Sequence, residues 1–157
     1  MIRELTAADL TLVDEHLPLN RLDTWRTAGT TYLVAWDGAT PVAHAHIAWA
    51  ATELDVPEVQ DVYVAPDRRR EGFAAALTGA AERLAVARGH GRLSLSVGIG
   101  NEPARRLYAK LGYADAGLPP KRIRGRIVLR GAPFDVDDTL LYLVKELAVD
   151  FAHGRSS

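Results

Sequence analysis

A chain of 157 residues that is 48% hydrophobic and 25% charged has the size and composition of one soluble domain, able to bury on the order of 70% of the surface its unfolded form exposes. With no cysteine, disulfides, thiolate nucleophiles and cysteine-held zinc are excluded, and a formal net charge of −1 gives no global attraction to nucleic acid or an anionic membrane. Met1 runs straight into Ile2-Arg3-Glu4-Leu5-Thr6 without a basic and then apolar leader, and no window approaches about eighteen uninterrupted apolar residues, so the expected compartment is the cytoplasm.

Ile2 to Leu5 reads as a first strand. Thr6 and Asp9 open a helix that Pro18 stops after Leu17, and a second helical piece falls at Leu22 to Thr27. Thr31 to Trp36 and Val42 to Ala50 flank the hairpin signal Asp37-Gly38 and are expected to pair antiparallel. Glu58 to Val64 is the next strand, broken at Pro66. Gly72 to Arg88 follows as a long helix with Leu77, Ala80, Ala81, Leu84 and Ala87 on one face, stopped by Gly89. Leu93 to Ile99 alternates apolar and small residues, and Asn101 with Pro103 then caps a helix to Leu111, closed by Gly112. Tyr113 to Leu118, Ile123 to Leu129 and Leu140 to Leu147 read as extended, and 150–157 as a frayed tail. The order β-α-α-β-β-β-α-β-α-β, with an extra extended segment before the last strand, implies one α/β domain over 1–149. Its mixed sheet is flanked by helices.

The chemistry concentrates where strand 58–64 meets helix 72–88. Arg70 to Ala75 set several backbone N–H groups at a helix N-terminus, which carries unpaired donors and the positive end of the dipole. Gly72, Ala74 and Ala75 have almost no side chain, so a phosphate oxygen can reach the main chain. That junction suits a pyrophosphate.

Around these residues the chain resembles the GCN5-related N-acetyltransferase superfamily. Arg69-Arg70-Glu71-Gly72-Phe73-Ala74 matches its acyl-CoA motif, Val62-Tyr63-Val64-Ala65-Pro66 precedes it at the family's usual distance, and Asn101-x-x-Ala104-x-x-Leu107-Tyr108-x-x-Leu111-Gly112-Tyr113 follows after one strand. The close match covers 59–117. It implies a central, mixed, mostly antiparallel sheet, acetyl-CoA as co-substrate, no metal, and direct acetyl transfer to a primary amine in a ternary complex. Val62, Tyr63 and Val64 would then offer backbone hydrogen bonds to the thioester and pantetheine arm across a splayed strand pair, whose unpaired polar groups need such a partner. Arg69, Arg70, Glu71, Gly72, Phe73, Ala74 and Ala75 would hold the pyrophosphate, and Asn101 and Arg106 match positions that contact the cofactor.

By the same resemblance Tyr108 is the general acid that protonates the departing thiolate. Glu58, four residues before Val62, matches a strand glutamate that acts as general base in histone-type members. The residues themselves leave Asp61, His44, His46 or a water open for that role; alternation along a strand makes Asp61 depend on whether a bulge intervenes. Two departures stand out. Ser94 and Ser96 lie where ribosomal-protein N-terminal acetyltransferases carry a glutamate, which points away from protein N-termini, and Ala74 replaces the motif's second glycine. Trp25, Trp36 and Trp49 suit either core packing or an aromatic wall for the amine. Lys121, Arg122, Arg124, Arg126 and Arg130 alternate with Ile123, Ile127 and Leu129, a pattern of a charged edge ribbon or, alternatively, of an anion site or partner surface. A homodimer is compatible with the resemblance, and a non-catalytic acyl-CoA sensor is the alternative function.

Overall fold

A computed structural model describes residues 1–17, 30–129 and 132–148. Strands β1 (Ile2–Glu4), β2 (Thr30–Asp37), β3 (Thr40–Ala48), β4 (Glu58–Val64), β5 (Arg92–Gly98), β6 (Ala114–Asp115), β7 (Lys121–Leu129) and β8 (Ala132–Glu146) and helices α1 (Leu10–His16), α2 (Phe73–Ala87) and α3 (Glu102–Lys110) make up its elements. The strands form one sheet in the order β1-β2-β3-β4-β5-β8-β6, with β7 also pairing β8, and among the described residues only β4 and β5 run parallel. The expected mixed sheet with flanking helices is present. The helical piece expected at 22–27, Trp25, Arg130 and the tail expected at 150–157 lie outside the described residues.

Each face of the sheet has its own core. On one, Leu77, Ala81 and Ala85 of α2 bury fully against Ala45, Ile47, Val59, Leu93 and Leu95. The alanine-rich face lets the helix approach the strands closely. On the other, Val13 and Leu17 pack with Leu5, Tyr32, Val34 and Trp36. Trp36 is thus core, with the Arg3 guanidinium 4.3 Å from its ring centroid. Trp49 is also structural: it donates to Thr31 at 2.8 Å and lies 4.0 Å from the Arg88 guanidinium.

Two expectations about the C-terminal part need correcting. Tyr113 to Leu118 yields only the two-residue β6, because Asp115 turns the chain by accepting the Gly117 N–H at 2.7 Å, at a glycine with φ +83°. The last strand starts not at Leu140 but at Ala132, and it forms a long hairpin with β7. Cross-strand pairs Arg122–Asp137 (2.9 Å) and Arg126–Asp135 (2.8 Å) neutralise the ribbon's charges. That pairing favours the edge-ribbon reading of 121–129 over an anion site.

What positions the site is a fault in the sheet. β4 and β5 pair only through Glu58–Ser94 and Val59–Leu95. One residue later a bulge interrupts β4: His46 faces Gln60 and His44 faces Tyr63, leaving Asp61 as an extra residue at φ +51°. A bulge bends its strand and sharpens the twist, which carries Val62 to Val64 away from β5.

Candidate active site

The opening between β4 and β5 continues into a cavity of about 960 Å³. Its walls include Val62, Tyr63 and Val64 from β4, Arg69, Arg70, Gly72, Phe73, Ala74 and Ala75 from the turn and first turn of α2, and Asn101 and Tyr108 from α3. Most of the residues singled out from the sequence are therefore gathered around one space. Three are not. Glu71 turns aside to Arg68 at 3.0 Å, Arg106 is 69% exposed and points to Glu102 at 3.9 Å, and Glu58 is buried and is not among the lining residues.

The turn before α2 is built to present donors. Arg68 is held by Asp37 (2.9 Å) and Glu71, and these carboxylates push its guanidinium pKa further up. Arg69 donates to the Val64 carbonyl at 3.2 Å, leaving its cationic head beside the cavity. Arg70 and Gly72 both adopt left-handed backbone, φ +67° and +90°, which turns successive N–H groups to one side. A Cβ at Gly72 would meet no heavy atom within 4 Å, so the space above it is open. Anions bind favourably at such a helix start.

Asn101 caps α3 by accepting the Ala104 N–H at 3.2 Å. Asn101→Ala is expected to cost about 1 kcal/mol of stability in urea unfolding, while Asn101→Asp retains most of it. A full loss with Asp as well would mean that the cap is not what Asn101 contributes.

Tyr108 is 5% exposed and projects from α3 into the cavity wall. Burial raises its phenol pKa, only partly offset by a hydrogen bond with Thr78, so it is protonated at neutral pH. Tyr113 packs edge-on at 6.0 Å and donates to Glu82 at 2.8 Å, and Glu82 also binds Lys145 at 3.1 Å. Those contacts fix the end of α3 and so the ring of Tyr108.

Around Glu58 lies a polar cluster of which the sequence pattern brought out every member but Gln60. Gln60 donates to Glu58 Oε2 at 2.8 Å, and its amide oxygen accepts from His46 Nε2 at 2.9 Å. His46 Nε2 is also 3.6 Å from Asp61, and its ring stacks on Tyr32 at 4.7 Å. His44 stacks on Tyr63 at 5.8 Å. Asp61 itself lines the cavity, its direction set by the bulge. Alternation from Glu58 would have found Gln60; nothing in the sequence signals Asp138, which reaches the cavity from β8 and crowds Gly98.

Burial raises the Glu58 carboxyl above the usual carboxylate range, against smaller opposing hydrogen bonds from Gln60 and Ser96. A folded-state pKa above the unfolded one means that the folded protein binds the proton more tightly. The resulting stability is complete below the ordinary carboxylate pKa and is lost as pH rises through the raised value. Relative to wild type, Glu58→Gln is therefore expected to gain stability in urea unfolding as pH rises from about 4 towards neutrality. A difference independent of pH would contradict the perturbed carboxyl.

Among the described residues, no group of three His, Asp or Glu side chains is placed to hold a metal, and no helix is long and apolar enough to cross a membrane. A family profile described as the acetyltransferase (GNAT) family matches residues 1–113. No curated protein matches the sequence. Among solved structures, smu.2055 from Streptococcus mutans UA159 superposes with a TM-score of 0.69 at 18% identity over 94% of this chain and 99% of that one. For yncA from Salmonella typhimurium, solved with acetyl-CoA, the values are 0.66, 16%, 94% and 94%. For the ribosomal-protein-S18-alanine N-acetyltransferase from Escherichia coli they are 0.68, 19%, 94% and 94%. At these identities the likeness establishes the fold.

Proposed function

The chain belongs to the acetyltransferase (GNAT) family, and from that premise we propose that it moves the acetyl group of acetyl-CoA to a primary amine by direct attack in a ternary complex. The observation that carries this reading is the end of β4–β5 pairing after Val59 and Leu95, with the freed edges opening on a cavity that ends at the first turn of α2. Unpaired strand edges cost free energy unless a partner supplies hydrogen bonds, and an amide-bearing pantetheine arm is such a partner. Arg69, Arg70 and the N–H groups of Gly72 to Ala75 then bind the pyrophosphate. The reading places the protein in the cytoplasm, and the proposed step uses no metal.

In the chemical step the amine nitrogen attacks the thioester carbon, the C–S bond breaks, and the CoA thiolate takes the Tyr108 proton, which Tyr108 regains from solvent before the next turnover. Glu58 is the final acceptor of the proton shed by the amine, and it must be ionised to accept it. Because burial raises its pKa, the acid limb of the kcat profile falls at higher pH than for an ordinary carboxylate, and Glu58→Gln removes that limb.

An amine panel of spermidine, kanamycin, free lysine and a lysine-containing peptide, read out by CoA release, tests the activity. Amine-dependent release is expected for at least one class. Acetyl-CoA binding in calorimetry without transfer to any amine would replace the enzyme by a sensor.

A further inference from the structure

The walls of the cavity belong to opposite faces of the sheet. Leu93, Leu95 and Val97 of β5 turn towards α2 and share a core with it and with Tyr108 of α3, so the start of α2 and the phenol lie on that side. Alternation sends Ser94, Ser96 and Gly98 to the other face. Glu58 pairs with Ser94 and Leu140 with Gly98, which puts both on this second face. Asp138 stands two residues before Leu140 and shares its side. A Cβ at Gly98 would lie 2.8 Å from Asp138 Oδ2, so the carboxylate covers the backbone where β5 ends and its pairing with β4 has already stopped.

The neighbouring aspartates of β8 are answered from within the hairpin. Asp135 has Arg126, and Asp137 has Arg122 and Arg124. Asp138 accepts the Thr139 N–H at 2.7 Å through Oδ1, and among the described residues it has no other hydrogen bond and no ion pair. Asp61, the second carboxylate of the lining, has His46 Nε2 at 3.6 Å. Asp138 therefore brings to the cavity a charge that no described side chain offsets. Beside it the wall is apolar, made by Ile123, its partner in the ladder, and by Val136 and Leu140. The basic lining residues are Arg69 and Arg70, which stand before α2 at the proposed pyrophosphate seat.

We propose that the acceptor is an aliphatic diamine or polyamine, its methylenes against Ile123, Val136 and Leu140 and its distal ammonium on Asp138, which makes Asp138 the residue that sets acceptor specificity. The inference rests on the acetyl-transfer reading above and adds the class of amine. The reacting nitrogen is neutral when it attacks the thioester. The distal nitrogen keeps its proton, and Asp138 takes no part in the chemical step. An acceptor carrying a carboxylate instead meets an acidic and apolar wall with no cation to hold it.

The full chain is assayed at saturating acetyl-CoA with 1,3-diaminopropane, 1,4-diaminobutane and 1,5-diaminopentane, each beside the monoamine of equal length, and with the spermidine, kanamycin, lysine and peptide panel. Wild type is expected to favour the best diamine over its monoamine by about fivefold or more in kcat/KM. Asp138 is solvent-exposed, so the gain lies between that of an exposed ion pair and that of a charge-assisted hydrogen bond. Asp138→Asn keeps the shape and an acceptor for the Thr139 N–H, and it lowers the diamine preference by about threefold or more. The loss falls on the diamine's KM and spares the monoamine, whereas a merely structural role would lower both. Asp135→Asn, which removes a charge from the other face of the hairpin, leaves the preference as in wild type.

A loss of preference below about threefold in Asp138→Asn overturns the proposal, and so does an equal loss in Asp135→Asn, which marks a general charge effect. Wild type that acetylates monoamines as well as diamines, or acts only on kanamycin, lysine or the peptide, overturns it too. The acetyl-transfer reading survives each of these results. If wild type releases CoA with no amine of either set, it is the proposed function that fails, and the acceptor class falls with it.

Discussion

Tyr108→Phe is expected to lower kcat about ten- to a thousandfold while leaving the dissociation constant for acetyl-CoA within a few-fold of wild type. The substitution removes one oxygen and keeps the ring. The edge-on contact with Tyr113 and the burial of the α3 face therefore persist, and Thr78 keeps its hydrogen bond to the Ala74 carbonyl at 2.8 Å. What disappears is a proton in the wall of the cavity, held on the phenol by burial. A departing thiolate in a partly desolvated site is costly without a donor, so the loss falls on the chemical step and not on binding. Steady-state kinetics at saturating acetyl-CoA with calorimetry on the same variant separate the two. Unchanged turnover removes Tyr108 from the reaction; a matching loss of acetyl-CoA affinity reassigns it to cofactor binding.

Some of this site could be read from the residues because local rules and the tertiary structure agree there. β-Branched residues mark β4, the small residues of Phe73 to Ala87 mark a helix packed closely on a sheet, and Asn101 with Pro103 marks the start of α3, where the cap is found. The split in the sheet is another matter. It depends on the bulge at Asp61, whose trace in the sequence, the double polar step Gln60-Asp61 between Val59 and Val62, does not say which residue is the extra one. Gln60, before the bulge, keeps to the face of Glu58 as alternation requires, but the face of Asp61, which lines the cavity, could not be assigned by counting alone.

The first half of β8 was hidden for a different reason. Pro133-Phe134-Asp135-Val136-Asp137-Asp138 is rich in residues that strands usually avoid, and read in isolation it resembles a loop. It is extended because Arg124 and Arg126 of β7 sit opposite Asp137 and Asp135, and Arg122 reaches Asp137 diagonally, so that their charges offset one another. Strand preference there belongs to the cross-strand pair and not to either segment, which is why the basic half alone suggested a surface for anions. Asp138 is the exception: it pairs opposite Ile123, so its carboxylate turns towards Gly98 and the cavity.

Gly72 carries the second large effect, because two separate requirements meet there. Its φ of +90° suits glycine, and a β-branched residue forced into that region costs about 1–3 kcal/mol. Its missing Cβ also leaves open the space above the N–H groups of α2, where the proposed pyrophosphate lies. Gly72→Val is therefore expected to lower the urea midpoint and to weaken acetyl-CoA binding by at least about tenfold, roughly the loss of one good charge-assisted hydrogen bond. Gly72→Asn divides the two causes, since asparagine tolerates left-handed backbone more readily than other residues. It should unfold nearer to wild type yet still bind acetyl-CoA several-fold more weakly, because its side chain enters the same space. Calorimetric affinity equal to wild type in a well-folded Gly72→Asn variant would show that the diphosphate is not seated on this turn, and the assignment of the cavity to acetyl-CoA would lose its anchor.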